Sequence, residues 1–155
     1  MPDVRPWLRP LRAASGPALV LGVLAGAALA AGDDLPALRQ GLWESERTVQ
    51  DPTKPGPPKK ESSRRCTSPT ENLKRRRERL AQSCKLSLIS KTGSSYSYSA
   101  SCQFPDGRKG TAKTVITTSG NTAYTIKTES EGIIPGKTGK IVEEMSAKRV
   151  GDCAG

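Results

Sequence analysis

The chain has no histidine among its 155 residues, and only 4% of them are aromatic. Histidine is the commonest general base and metal ligand near neutral pH, so most hydrolytic and metal-dependent designs are excluded at once. A serine nucleophile would need lysine as its base, and no S-x-x-K motif stands at a helix start. Glu143 and Glu144 are adjacent, so on a strand they point to opposite faces and make a poor acid/base pair. The four cysteines, at 66, 84, 102 and 153, include no C-x-x-C redox pair and no close zinc-ligand pair. Apolar residues are scarce too. Only 35 of the 125 residues behind Ala30 are hydrophobic, near the limit at which burial offsets conformational entropy. The sequence therefore predicts a non-enzymatic protein with no cofactor, no metal site and a small core in need of covalent support.

The first thirty residues have the composition of an export signal. Arg5, Arg9 and Arg12 precede an uncharged run whose centre, residues 18–24, is apolar, and the run ends in small residues around Ala28-Leu29-Ala30. A positive start, an apolar middle and an A-x-A-like end define a cleavable signal peptide, with cleavage expected after Ala30. A spanning helix needs roughly 20 apolar residues. This run barely reaches that, and Gly16 and Pro17 dilute it, so no transmembrane span is expected after cleavage. No Arg-Arg pair and no cysteine near the cleavage point suggest another export route or a lipid anchor. Residues 31–40 read as a polar lead-in and 41–155 as a single domain. All four cysteines lie in this exported part, as expected of two structural disulfides in an oxidising compartment. The location read from the sequence is periplasmic or secreted.

Along that domain, residues 41–50 read as a strand with Trp43 and Val49 on one face. Four prolines between Asp51 and Pro58 exclude helix and central strand, and Lys59–Cys66 reads as a second strand. Ser68-Pro69-Thr70-Glu71 has the pattern of a helix start: a capping serine, a proline at the first helical position and a glutamate three residues after the cap. The helix is expected to run to about Gln82, with Leu73, Leu80 and Ala81 as a narrow apolar stripe. Glu71 with Arg75 and Lys74 with Glu78 are spaced for ion pairs.

The next stretch alternates with period two. A hairpin centred on Gly93 sets Cys84 opposite Cys102, Leu86 opposite Ala100, Leu88 opposite Tyr98 and Ser90 opposite Tyr96. The apolar residues other than Ile89 then share one face. Opposed positions lie within disulfide range, so Cys84–Cys102 is the preferred bridge and Cys66–Cys153 the remainder. Four cysteines allow three connectivities, and sequence alone leaves that question open. Residues 111–118 and 122–128 form another hairpin around Gly120-Asn121, and pairing Ser119 with Thr122 sets Val115 opposite Ile126 and Thr117 opposite Tyr124. Gly132–Gly139 is a loop carrying Ile133 and Ile134, and residues 140–150 form a last strand. The fold expected is α+β and mainly β: an antiparallel curved sheet or partial barrel of six or seven short strands with one helix. Tyr96, Tyr98 and Tyr124 are expected to face its core.

The charge is uneven. The net formal charge is +10, and Lys59–Arg79 contributes nine Lys/Arg against three Asp/Glu. Lys74, Arg75, Arg76, Arg77 and Arg79 are the candidate anion-binding residues, because guanidinium forks match phosphate geometry. Outside the cytoplasm the expected partner is an anionic envelope component. The competing reading is a structural or protein-interaction module of the envelope that binds another envelope protein. Its charge is then incidental, since successive helical residues point about 100° apart and do not form one patch. Nucleic acid is disfavoured by export and by the lack of aromatics among the charges.

Several motifs occur together in a fixed order: Gly41-Leu42-Trp43-Glu44, then Cys66-Thr67 with Pro69 and Glu71 before a helix, then Cys84 and Cys102, and finally Lys148-Arg149-Val150-Gly151-Asp152-Cys153. Over about residues 40–153 the chain resembles the domain-of-unknown-function family 3617, small exported bacterial proteins. The resemblance implies an envelope or periplasmic setting and a four-cysteine β-rich domain. It implies no catalytic residue and no ligand. Many relatives are less basic in the helix, so a role for these arginines would be particular to this branch.

Overall fold

Strands with an apolar face pair along their edges and need cover on that face, and here seven strands meet in one sheet. The computed structural model describes residues 35–51 and 53–154, which fall within the compact unit Ala31–Gly155. The signal predicted for residues 1–30 lies outside them. The elements are β1 (Gly41–Gln50), β2 (Lys59–Thr67), α1 (Pro69–Ala81), β3 (Cys84–Thr92), β4 (Ser95–Gln103), β5 (Lys109–Ser119), β6 (Ala123–Glu131) and β7 (Lys140–Gly151). The sheet order is β2-β1-β7-β6-β5-β4-β3, with every pairing antiparallel. The sheet is open, with β2 and β3 at its edges.

This order places α1. It connects one edge strand to the other, so it lies across a face of the sheet rather than beside it. Thirteen residues span about 20 Å. Near its start, Leu73 packs against the cluster of Leu38, Trp43 and Ala147. In its middle, Arg76 reaches Glu143 of β7, and the helix also packs on β3. The covered face carries the apolar positions of the central strands, among them the buried Ile116, Ile126 and Ile141. The opposite face is mostly Ser, Thr, Lys and Glu.

The β3–β4 hairpin pairs Cys84 with Cys102, Leu86 with Ala100 and Leu88 with Tyr98, as the alternation predicts. Beyond Leu88 the register shifts. Ser90 meets Ser97 and Lys91 meets Tyr96, in place of the expected Ser90–Tyr96 pair. Ile89 is the extra residue of a bulge and is exposed. The β5–β6 hairpin also departs from expectation. Ile116, not Val115, meets Ile126, and Thr118, not Thr117, meets Tyr124. The reason is the loop: Gly120-Asn121-Thr122 forms a three-residue turn closed by Ser119 and Ala123, with Gly120 at φ 60°. One added loop residue slips the register by one, which exchanges the faces of the partners.

Two local expectations fail at the helix start. Ser68 is the extended N-cap residue, but its side chain caps nothing, so the capping box does not form. Thr70 serves this region instead. Its hydroxyl donates to the Pro36 carbonyl at 2.8 Å and accepts the Leu38 amide at 2.8 Å. The lead-in, expected to be polar, therefore contributes to the core: Pro36 is fully buried and Leu38 nearly so. Further along α1, Arg75 turns to the Glu71 carbonyl and the Asn72 side chain rather than to the Glu71 carboxylate. Lys74 and Glu78 form no ion pair, and Ala81 is exposed.

Both disulfides staple an edge. Cys84–Cys102 ties β3 to β4, and Cys66–Cys153 ties the end of β2 to the chain segment after β7. Two disulfides in so small a chain suggest a non-cytoplasmic location. Among the described residues, no helix is long and apolar enough to cross a membrane.

Candidate functional site

The site centres on α1. Proline at the first helical position and the helix formers Leu, Lys, Arg and Glu favour the helix locally. At 100° per residue, Leu73 and Leu80 point to the sheet, Arg76 and Arg77 flank them, and Lys74, Arg75 and Arg79 point outward. The five candidate cations are therefore divided. All five are exposed, but Arg76 and Arg77 line a cleft between helix and sheet, while the other three point away from it.

The cleft has a volume of about 230 Å3. Its walls are Leu73 and Leu80 of α1, Leu86 and Leu88 of β3, and Ile133 and Ile134 of the β6–β7 loop, with Ile116 and Ile126 at its floor. The loop that supplies the two isoleucines is held in place. Arg108 donates to the carbonyls of Gly132 and Ile133 at 3.4 and 3.2 Å, and its guanidinium lies over the Phe104 ring. The polar groups at the floor satisfy one another, since the hydroxyls of Thr114 and Thr128 are 3.1 Å apart.

Among the described residues, one carboxylate stands at the rim. Glu143 accepts a hydrogen bond from Arg47 at 2.7 Å and lies 3.9 Å from Arg76. Burial raises the Glu143 carboxyl, but the hydrogen bond from Arg47 and the charges of Arg76 and Arg47 outweigh it and hold the group below its ordinary value of 4.5. The hydrogen bond to Glu143 in turn raises Arg47. A carboxyl depressed on folding contributes stability that is complete above its unfolded pKa and is lost as pH falls through the folded value. Glu143→Gln is therefore expected to destabilise the fold by about 1 kcal/mol at pH 7, the upper range for a partly exposed pair. It should also flatten the loss of stability between pH 5 and pH 3 in urea titrations. Equal acid sensitivity in variant and parent would refute this role.

Glu144, on the opposite face, pairs with Lys127 at 3.1 Å, so the adjacent glutamates are split as the strand alternation predicts. Among the described residues, no three His, Cys, Asp or Glu side chains are grouped to hold a metal ion. Sequence reading missed the cleft and the pairing of Arg47 with Glu143. Arg47 and Glu143 are 96 residues apart, and no local pattern joins them. The isoleucine pair inside a Gly/Pro loop, the Leu73 and Leu80 stripe and the Leu86 and Leu88 face were visible singly, but nothing local showed that they meet.

The motifs at the two ends of the domain meet in space. Arg149 lies against the backbone at Gly41, where a side chain would come within 2.5 Å of the Gly151 carbonyl. Its Nε donates to the Gln40 carbonyl at 2.9 Å, and its guanidinium pairs with Asp152. Trp43 lies beside this junction and donates from Nε1 to the Arg39 carbonyl at 3.0 Å. Such a four-cysteine, mainly β domain with one crossing helix is the class the structure defines. The chain belongs to the family described as protein of unknown function (DUF3617), which it matches over residues 38–153. No curated protein and no solved structure matches it.

Proposed function

We propose that this protein is a non-catalytic binding domain, exported to the periplasm or secreted, that engages an anionic component of the cell envelope through α1. The observation that supports this most is the outward face of the helix. Lys74, Arg75 and Arg79 are exposed there, and none forms an ion pair with a described carboxylate. Anionic lipid surfaces attract such residues by about 1 kcal/mol each, and the attraction falls with salt.

The test is sedimentation with vesicles of phosphatidylethanolamine and phosphatidylglycerol, compared with phosphatidylcholine alone. Binding is expected only to the anionic vesicles, with at least a roughly tenfold loss in the double variant K74E/R79E and in high salt. Binding that ignores both changes rejects the proposal. The competing reading, a protein-interaction module, draws on the edge strand β3, where Ile89 is 56% exposed. It predicts that partner proteins recovered from the envelope remain bound to K74E/R79E.

A further inference from the structure

We infer that the cleft between α1 and the sheet binds the hydrocarbon chain of a single-chain lipid carboxylate, with its head at Arg76 and Arg77. This rests on the reading of α1 as an anion-binding element and names the ligand class. Three observations carry it.

The first is that the chain fills one half of its apolar face and not the other. Leu38, Trp43 and Ala147 pack together with Leu73 and Tyr124. At the other half, Leu80, Leu86, Leu88, Ile133 and Ile134 surround the open volume of about 230 Å3. Leu88 and Ile134 remain 36% and 43% exposed at its mouth. Protein interiors are close-packed, so apolar walls facing a void of this size fit an apolar occupant.

The second is that nothing inside the cleft demands a polar one. Thr114 and Thr128 satisfy each other, and no described buried side-chain nitrogen or oxygen lacks a partner. Apolar walls without unpaired polar groups offer water few partners. Its volume is also below the roughly 300–1,000 Å3 typical of sites for drug-sized ligands, so the occupant is slender: one alkyl chain, not a ring system.

The third is charge at the rim. Arg76 and Arg77 line the cleft there, and Glu143 is its one lining carboxylate among the described residues. Glu143 takes its short hydrogen bond from Arg47, at 2.7 Å, and sits 3.9 Å from Arg76. The guanidinium fork of Arg76 is thus positioned for an incoming carboxylate, which it matches in geometry and charge. A neutral alcohol of the same chain length has the tail without the head and serves as the control.

The experiment is a fluorescence titration of the exported protein with cis-parinaric acid, displaced by dodecanoate, dodecanol or a single-chain lysophosphatidylglycerol, all below their micellar concentrations. Dodecanoate is expected to displace the probe. Ala112→Leu, which fills the cleft from β5, is expected to abolish probe binding. R76Q/R77Q is expected to weaken dodecanoate about tenfold, the loss of charge-assisted hydrogen bonds, while leaving dodecanol unchanged. This second variant removes no apolar volume, so the inference stays testable if Ala112→Leu fails to fold. K74E/R79E should keep dodecanoate binding while losing the anionic vesicles. Vesicle binding without dodecanoate binding overturns the cleft and leaves the outward face standing; loss of both overturns both. Probe bound but displaced only by the lysophospholipid, or equally by dodecanol and dodecanoate in parent and R76Q/R77Q, also overturns the assignment to a lipid carboxylate.

Discussion

Replacing Cys66 and Cys153 together by alanine is expected to lower the unfolding free energy by about 4 kcal/mol, and replacing Cys84 and Cys102 by about 3 kcal/mol. The first bridge closes a loop of 87 residues and the second one of 18, and the entropy removed from the unfolded chain grows slowly with loop length. A domain of this size has roughly 5–15 kcal/mol in total, so loss of both bridges consumes most of it. The fold has little to substitute. Only eight hydrophobic residues among those described are buried. Position adds to the effect, because β2 and β3 each have one pairing neighbour and each is held by one of the two bonds. Urea titrations followed by far-ultraviolet circular dichroism, with and without reductant, measure this. A midpoint that does not move on full reduction would show that the sheet holds its edges without help.

Trp43→Ala is expected to cost about 4 kcal/mol, as large-to-small changes of buried aromatic residues do. That lowers the thermal midpoint by about 10–15 °C for a domain of this length. Trp43 is 3% exposed at the centre of the cluster with Leu38 and Ala147. Its ring meets Tyr124 with centroids 5.4 Å apart, and it also donates to the Arg39 carbonyl. Deleting it leaves a cavity under the start of α1 and an unpaired carbonyl. Trp43→Phe keeps much of the packing and loses only the donor, so its cost should be about 1–2 kcal/mol. If the two variants prove equally stable, the cluster around Trp43 is not what seats the helix on the sheet.

These expectations rest on features of different visibility. The strands, the helix and the Cys84–Cys102 pair were legible because period-two alternation and turn residues are local signals, and a hairpin converts sequence position directly into a partner. The same logic failed by one residue at Gly120-Asn121-Thr122. A turn of two residues and one of three share the same glycine, and only the buried faces of both strands choose between them. Ile116 and Val115 are neighbours of similar character, and Ile116 is the one that is buried. The capping box failed for a related reason. Ser68 and Glu71 have the right spacing, but Thr70 satisfies the lead-in, and that bond spans 32 residues.

The sequence by itself determined the fold class, the facing of Cys84 and Cys102 across one hairpin and the concentration of positive charge on one helix, because each is written in spacing over fewer than about twenty residues or in composition. Only the tertiary structure decided how that charge is divided. The order β2-β1-β7-β6-β5-β4-β3 makes α1 cross the sheet, and the crossing sends Arg76 and Arg77 toward the cleft and Lys74, Arg75 and Arg79 away from it. It also brings Arg47, Arg76 and Glu143 together from three distant segments. Side-chain direction on a helix acquires meaning only from what the helix is packed against, and that partner surface is assembled by strand order, which no local pattern records.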